Sequence, residues 1–307
     1  MPPGGRFAWW TSLRPRSFRR SRFFSGRRQE LRRIAGGRAR LQLDHQSGCG
    51  SPRRTSVPSR SMARSMSGGA DNICRAAEAL QIRCIVFTSS VAIYGFQEGE
   101  PNENSAAQPF NPYGQTKWEA EGVFRNWQEK DPARRLVIVR PTVVFGPENR
   151  GNVYSLIAQL ASGLFVMVGD GKNRKSMAFV ENVAAFIAHV ADCGPGSSGV
   201  SVYNYCDKPD FNMNELLAVV RQALGKGKPG HFRLPYSLGL AIGAVFDTIA
   251  RWTGKTFPIS QIRVQKFCAN TVFNADRLRE TGFAPPYDLR EGLMETIARE
   301  FKGKSAP

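Results

Sequence analysis

Tyr113 and Lys117 are the two side chains of this sequence best suited to acid–base chemistry. They lie four residues apart in a segment that starts at Pro112 and is predicted to be helical, so they share one helix face, one turn apart. An ammonium group beside a phenol stabilises the phenolate, whereas a free tyrosine has a pKa of about 10. The pair is therefore typical of a tyrosine that exchanges a proton with a substrate near neutral pH.

A short apolar run that ends in hydroxyl side chains precedes this helix. Residues 84–88 predict a buried parallel strand, and Ser89 and Ser90 follow its carboxyl end, where α/β sheets bind their ligands. A Tyr-x-x-x-Lys spacing alone is common and most often marks a solvated helix face. Its combination with the two serines and with a second buried strand that ends at Pro141 is specific.

The elements that must position these residues predict an α/β fold with a parallel sheet. Helical patterns alternate with short apolar runs, as in chains that fold by strand–helix–strand units. The predicted helices span residues 70–80, 112–128, 153–164, 183–190, 213–224, 238–252 and 289–301. The predicted strands span residues 84–88, 136–139, 166–168 and 202–205.

Charge is distributed unevenly along the 307 residues. The net charge is +18, but residues 1–65 hold 16 Arg, no Lys and only the acids Glu30 and Asp44, which leaves +4 for the remainder. We therefore predict no nucleic-acid partner for the folded part. Six Cys without a Cys-x-x-Cys pair and three His without ligand spacing predict no metal site. No apolar run approaches the roughly 20 residues of a membrane span.

Three motifs together resemble the extended short-chain dehydrogenase/reductases, the NAD-dependent epimerase/dehydratase family. They are Thr88-Ser-Ser90, Pro112-Tyr-Gly114 with Lys117, and the strand end at Pro141, and the resemblance covers residues 66–302. It implies a Rossmann-like sheet followed by a smaller C-terminal substrate-binding region, with residues 303–307 as a tail. It also implies that NAD is the cofactor and that the enzyme is cytoplasmic. A homodimer is compatible with the resemblance.

The resemblance assigns roles to individual residues. Tyr113 would be the catalytic acid and base, Lys117 would bind the nicotinamide ribose and lower the tyrosine pKa, and Ser90 would bind the reacting hydroxyl. Hydride would leave the sugar for NAD and return to the opposite face of a 4-keto intermediate. Ser89, Tyr113, Lys117, Pro141 and Val144 would contact the cofactor, and Ser90, Val91, Asn149, Asn152 and Lys175 would contact the substrate.

Several stretches are more similar to the bacterial branch that epimerises N-acetylhexosamine on undecaprenyl diphosphate than to soluble nucleotide-sugar enzymes. Residues 175–177 read Lys-Ser-Met where soluble enzymes carry Arg, Asp and an aromatic residue, and Asn182 replaces an Asp. This implies a role in surface-polysaccharide synthesis at the inner face of the plasma membrane. A soluble nucleotide-sugar epimerase or dehydratase is the alternative.

Some of these residues also have simpler interpretations. Lys175 could form a diphosphate contact with Lys172 and Arg174 on one turn, or that turn could be solvated. The side-chain amides of Asn149 and Asn152 could form hydrogen bonds with the sugar, or they could cap the next helix. The apolar segment 232–252 could contact a polyprenyl chain or the membrane, or pack on its own domain. Glu119 and Glu121 are predicted to face solvent.

The glycine-rich turn with which this family binds the dinucleotide pyrophosphate is missing from the sequence. We therefore expect weak or no NAD binding, a disordered segment 1–65, and an unpaired sheet edge at residues 84–88; an inactive remnant that cannot hold NAD is a further alternative. Many Arg, Ser, Gly and Pro without Lys are typical of GC-rich DNA translated out of frame. A truncated protein with a basic arm and a targeting segment are the other interpretations.

Overall fold

The computed structural model describes residues 7–10, 59–163, 165–191, 198–225, 233–254 and 259–302. Within these ranges the strands are β1 (Phe7–Trp10), β2 (Cys84–Thr88), β3 (Arg135–Pro141), β4 (Val143–Phe145), β5 (Met167–Val168), β6 (Arg174–Phe179), β7 (Gly199–Tyr205), β8 (Asp207–Asn212) and β9 (Arg233–Leu234). The helices are α1 (Ser59–Ala79), α2 (Pro112–Glu129), α3 (Asn152–Ser162), α4 (Val180–Ala191), α5 (Met213–Ala223), α6 (Tyr236–Thr253), α7 (Gln261–Cys268), α8 (Asp276–Glu280) and α9 (Leu289–Ile297). A short 3-10 helix (Val91–Tyr94) and a π-helical turn (Ala298–Lys302) complete the described elements.

The main sheet is parallel, in the order β1-β2-β3-β7. Helices α1 and α2 pack on one face of it through Ala77, Phe124 and Trp127, and α4 packs on the other face through Phe186 and Val190. Strand β3 is buried along its whole length, as expected for a central parallel strand with helices on both sides. The α/β fold with a Rossmann-like parallel sheet is thereby confirmed.

The sheet edge differs from the sequence-based expectation. Phe7–Trp10 lies parallel to Cys84–Thr88, with Phe7 opposite Cys84 and Trp10 opposite Phe87. The expectation of an unpaired edge at residues 84–88 is therefore wrong. Four consecutive residues without a charge (Phe-Ala-Trp-Trp) form a short strand in an otherwise arginine-rich segment, and their pairing satisfies the backbone donors and acceptors of β2.

Helix α1 begins earlier than its apolar pattern predicts. It starts at Ser59 rather than at residue 70 and continues through Gly68 and Gly69, so it crosses the boundary that we placed at residue 66. Paired glycines weaken a helix, but packing of α1 along α2 compensates for them. The expected disorder of residues 1–65 otherwise falls on residues outside the described ranges.

A smaller region follows the sheet and has its own apolar core. Strands β4, β6 and β8 form a second sheet, in which β4 and β6 are parallel and β8 is antiparallel. Helices α3, α5 and α9 contribute Ile157, Val220 and Leu293 to this core. The sequence pattern did not predict β6 and β8, because polar residues in a strand are normally exposed. Here Asp207 and Asp210 are buried, and hydrogen bonds satisfy their carboxylates.

Candidate active site

The first turn of α2 is fixed by its own sequence. Asn111 precedes the helix in an extended conformation, and its side-chain oxygen accepts a hydrogen bond from the Gly114 amide at 2.8 Å. Pro112 occupies the first helical position, where a missing N–H costs nothing. Tyr113 therefore projects from the first turn, and Lys117 lies one turn further along the same face.

Gly114 allows α2 to approach the chain that follows β2. A Cβ atom at this position would lie 2.4 Å from the carbonyl oxygen of Ala92, which is closer than two such atoms can normally approach. The close approach brings the Tyr113 side chain beside the side chain of Ser90. Substitution of Gly114 by any larger residue would separate these two hydroxyl groups.

The serines after β2 lie at the carboxyl end of the sheet. Ser90 caps the 3-10 helix, and its Oγ accepts a hydrogen bond from the Ala92 amide at 3.2 Å. Ser89 is buried, and its amide donates to the Val139 carbonyl at 2.7 Å. Among the described residues, the hydroxyls of Ser89 and Thr142 are buried without a hydrogen-bond partner. Unpaired buried hydroxyls at strand ends are groups that a ligand can satisfy.

Lys117 is buried beneath Tyr113. Its Nζ donates to the Thr88 carbonyl oxygen at 2.9 Å and lies 5.0 Å from the centre of the Phe87 ring and 6.0 Å from that of Tyr113. Burial lowers the pKa of Lys117 to about 8, and the nearby Glu121 carboxylate opposes that shift. At neutral pH the ammonium form therefore predominates and supplies a positive charge beneath the phenol.

Tyr113 is 46% exposed, at the solvent-facing start of α2. Burial raises the pKa of the Tyr113 phenol, and the neighbouring Ser90 side chain acts in the opposite direction. The lowered tyrosine pKa that the resemblance implies is therefore not seen here. To take a proton from a substrate the phenol must first lose its own, and the ammonium of Lys117 is the nearby positive charge that favours this.

A buried charged cluster supports these residues from below. Arg140 donates to both carboxylate oxygens of Glu121 at 3.0 and 2.7 Å, and to the Tyr94 hydroxyl at 2.7 Å. Tyr94 in turn donates to Asn204 on β7 at 2.8 Å. The cluster therefore joins α2 to β3, the 3-10 helix and β7, the elements that carry or adjoin the serines, the tyrosine and the lysine.

The solvent-facing prediction for Glu121 is wrong, because its side chain is 0% exposed. A signal was present in the sequence: Tyr113, Lys117 and Glu121 follow each other at intervals of four and so share one helix face. The same face must be buried if Lys117 is. Glu119 is partly exposed and accepts a hydrogen bond from Gln115, as an outer helix position does.

The other predicted contact residues lie further along the same edge. Val91 and Pro141 are buried beside Ser90 and at the end of β3, and Val144 is half-buried in β4. The Asn149 amide donates to the Val144 carbonyl at 2.9 Å and accepts from Gly151 at 2.9 Å. Asn149 therefore organises its own loop, whereas Asn152 is exposed at the start of α3.

Lys175 belongs to the second sheet, whereas Ser90 and Lys117 belong to the end of β2 and to α2. It lies in β6 and not on a turn with Lys172, and its Nζ donates to the carbonyl oxygens of Lys266 at 3.1 Å and Ala269 at 2.6 Å. Arg174 instead approaches Asp210 at 3.6 Å. Neighbouring residues of a strand point to opposite faces, so the three basic side chains do not form one cluster. Burial lowers the pKa of Lys175 to about 8, and Cys268 opposes that shift.

Residues at the nicotinamide end of the site fit a dinucleotide cofactor. The unpaired hydroxyls of Ser89 and Thr142 and the ammonium of Lys117 provide polar partners for an amide and a ribose. The pyrophosphate end does not fit, because residues 11–20, which follow β1, contain no glycine. A backbone turn that lets a pyrophosphate approach depends on glycine at this point of the fold.

Comparison with known proteins supports one family. Residues 45–204 match the profile of the NAD dependent epimerase/dehydratase family. The chain is 48% identical over 234 residues to an N-acetyl-alpha-D-glucosaminyl-diphospho-ditrans,octacis-undecaprenol 4-epimerase of Escherichia coli O157:H7, covering 76% of this chain and 70% of that protein. It is 26% identical over 237 residues to a UDP-glucose 4-epimerase of Vibrio cholerae, covering 74% and 66%.

Solved structures share the fold. The UDP-N-acetylglucosamine 4-epimerase of Methanobrevibacter ruminantium M1, in complex with UDP-N-acetylmuramic acid, superposes with a TM-score of 0.58 at 19% identity, over 78% of this chain and 70% of that one. The parallel sheet of this chain agrees with the shared fold. The chain therefore belongs to the NAD dependent epimerase/dehydratase family, whose cofactor is NAD.

Proposed function

We propose that this protein is a 4-epimerase of N-acetylhexosamine joined through diphosphate to undecaprenol. The observation that carries the proposal is the meeting of Ser90, Tyr113 and Lys117 at the carboxyl end of β2, in a chain 48% identical to an undecaprenol-linked 4-epimerase. Bound NAD would supply the acceptor and donor of hydride. The groups that bind the sugar and move the proton belong to the chain itself.

Ser90 and Tyr113 would hold the C4 hydroxyl of the sugar between them. Their side chains are neighbours at the end of β2, so one sugar hydroxyl can contact two groups that are positioned for it. Tyr113 would take the proton as the C4 carbon becomes a ketone, and it would return that proton when the 4-keto sugar is reduced on its other face. Lys117, protonated below about pH 8, would stabilise the phenolate form that Tyr113 has before it takes this proton and again after it returns it.

Lys175 would contact the diphosphate. An ammonium group has three N–H donors, and two of them are used on the carbonyls of Lys266 and Ala269. The remaining donor and the positive charge would serve a phosphate oxygen. Asn152, exposed at the start of α3, is the better candidate of the two predicted asparagines for the acetamido group, because the Asn149 amide is already paired.

Turnover of two substrates tests the proposal. The purified chain, with NAD in large excess, is given N-acetylglucosaminyl diphosphate on a short prenyl chain and, separately, UDP-N-acetylglucosamine. We expect N-acetylgalactosamine to appear only in the prenyl-linked product. Comparable product from the nucleotide sugar would favour a soluble nucleotide-sugar epimerase, and no product from either substrate would contradict epimerase activity.

A titration with NAD tests the inactive-remnant alternative. We expect weak binding by the 307-residue chain, because no glycine-rich turn follows β1. Binding at micromolar concentrations would contradict the interpretation of the N-terminal segment as an out-of-frame translation. A strand followed by Gly-x-x-Gly-x-x-Gly in another reading frame of the same DNA would support it.

Replacing Lys175 with Ala is expected to raise the KM for the prenyl-linked substrate while the KM for NAD is unchanged. Loss of a charge-assisted hydrogen bond of roughly 1.5–3 kcal/mol corresponds to about 10- to 100-fold. Lys172→Ala is the matched control, because Lys172 is an exposed lysine just before β6. Steady-state kinetics with both substrates varied would reveal the difference, and an unchanged KM in Lys175→Ala would leave Lys175 as a link between β6 and α7 only.

A further inference from the structure

Helix α6 packs its small residues inward and presents its large apolar residues to solvent. A Cβ atom on Gly239 would lie 2.6 Å from the Val168 side chain, and one on Gly243 would lie 2.7 Å from the Gln261 backbone. These contacts define the inner face, against β5 and α7. A helix that packs on its own domain normally does the reverse and buries its large apolar side chains.

The opposite side of α6 is an apolar stripe. Leu238, Val245 and Trp252 follow one another at intervals of seven residues, and Ile249 lies between the last two on the same side. Trp252 is 88% and Val245 58% exposed, and the other two are exposed as well. We call these four residues the outer face of α6. A contiguous exposed apolar surface of this kind marks a binding surface rather than a core.

Helix α7 extends this surface and connects it to the active-site rim. Ile259 and Ile262, both exposed, lie just before and within its first turn. At its other end, Lys266 lies over the exposed rings of Phe96 and Phe110, with Nζ 5.3 and 4.6 Å from their centres. Phe110 is separated from Tyr113 by only two residues. An eight-residue helix is about 12 Å long, so the outer face and the rim are close neighbours.

The charge of this region favours an anionic partner. Residues 233–266 contain five basic residues and a single acid, Asp247, whose carboxylate accepts a hydrogen bond from the Gln261 amide. Arg251 lies on the helix beside Trp252 and is exposed. Tryptophan beside basic residues on an apolar helix face is typical of helices that lie in the interface of a membrane with anionic lipids. Across the described ranges, none of the helices has the length and apolar character that a membrane crossing needs.

We propose that the outer face of α6, with Ile259 and Ile262, docks onto the surface of an anionic phospholipid membrane and holds the active-site opening at the level of the lipid headgroups. This inference rests on the proposed function, because a sugar carried on undecaprenyl diphosphate lies at that level. A membrane-docking surface would keep the active-site opening at the height of the headgroups, where this sugar lies.

Vesicle binding of the full chain tests the proposal. Vesicles of equimolar phosphatidylcholine and phosphatidylglycerol are sedimented with wild type, with the double variant Val245→Glu/Trp252→Glu, and with Met294→Glu. Met294 is a matched control, since it is a 44% exposed apolar residue on α9. The assay is repeated at high salt, where binding through the arginine-rich segment 1–65 is screened. We expect the double variant to bind roughly tenfold or more weakly at high salt and Met294→Glu to bind like wild type.

Equal binding of the double variant and wild type at high salt would overturn the proposal. So would a change of the double variant from dimer to monomer in light scattering without a change in vesicle binding, because the face would then join two copies of the chain. Turnover of the short-prenyl substrate separates this result from the proposed function. We expect the double variant to keep that turnover and to lose about tenfold on undecaprenyl substrate in vesicles, whereas failure of wild type on both substrates would contradict only the epimerase activity.

Discussion

Tyr113→Phe is expected to lower the rate of epimerisation by roughly 10²–10⁴-fold, the usual contribution of a positioned acid–base group. Only the hydroxyl that exchanges the proton is removed, and its ring, half-exposed at the start of α2, stays in place. Initial rates with the prenyl-linked substrate and excess NAD measure the effect. Thermal unfolding should be unchanged, which separates loss of chemistry from loss of fold.

The control for this variant is Tyr236→Phe, which removes an exposed phenol hydroxyl from α6 and should retain full activity. A Tyr113→Phe enzyme with more than about a tenth of the wild-type rate would contradict the assignment, given the usual contribution of such groups.

Lys117→Ala should move the pH–rate profile of epimerisation to higher pH. Without the ammonium beneath it, the phenol loses its proton less readily, so the deprotonated form is reached only at higher pH.

Glu121→Ala is expected to destabilise the protein by about 3–5 kcal/mol, because it leaves the buried Arg140 guanidinium without its carboxylate partner. Both side chains are almost fully buried, and the two hydrogen bonds between them are 3.0 and 2.7 Å long. The Arg125 contact to the same carboxylate, at 3.7 Å, would be lost as well. Urea unfolding followed by circular dichroism gives the change in the free energy of unfolding.

Glu119→Ala provides the comparison, because Glu119 lies two residues away on the same helix and is partly exposed. Surface substitutions of this kind usually change stability by no more than about 0.5 kcal/mol. If the two variants lost similar stability, the cluster of Glu121, Arg140 and Tyr94 would not be the support of the site that its geometry indicates.

Local sequence carried the main features of the site. The apolar run before Ser89, the proline and glycine around Tyr113, and the four-residue interval to Lys117 each specify a backbone conformation within one short segment. Because parallel strands end at the same edge, those segments predicted a common site before any contact between them was known. The α/β order and the family followed from the same motifs.

Side chains that depend on distant partners were interpreted less well. The sequence suggested that Lys175 lies in a charged turn. In the structure its ammonium group donates hydrogen bonds to backbone carbonyls some ninety residues further along the chain. The apolar segment before Trp252 could be read as packing or as a contact surface, and only the glycine contacts of α6 showed which side faces inward. Periodicity identifies a face but does not say what covers it.

The sequence by itself determined that a tyrosine, a lysine and a serine meet at the end of a parallel sheet, because each is placed by the local preferences of its own strand or helix. Only the tertiary structure decided that Glu121 is buried against Arg140, that residues 7–10 cover the edge of β2, and that α6 exposes its large apolar side chains. These features depend on contacts between segments far apart in the chain, and the free energy of such contacts is determined by packing and desolvation, which no local pattern encodes.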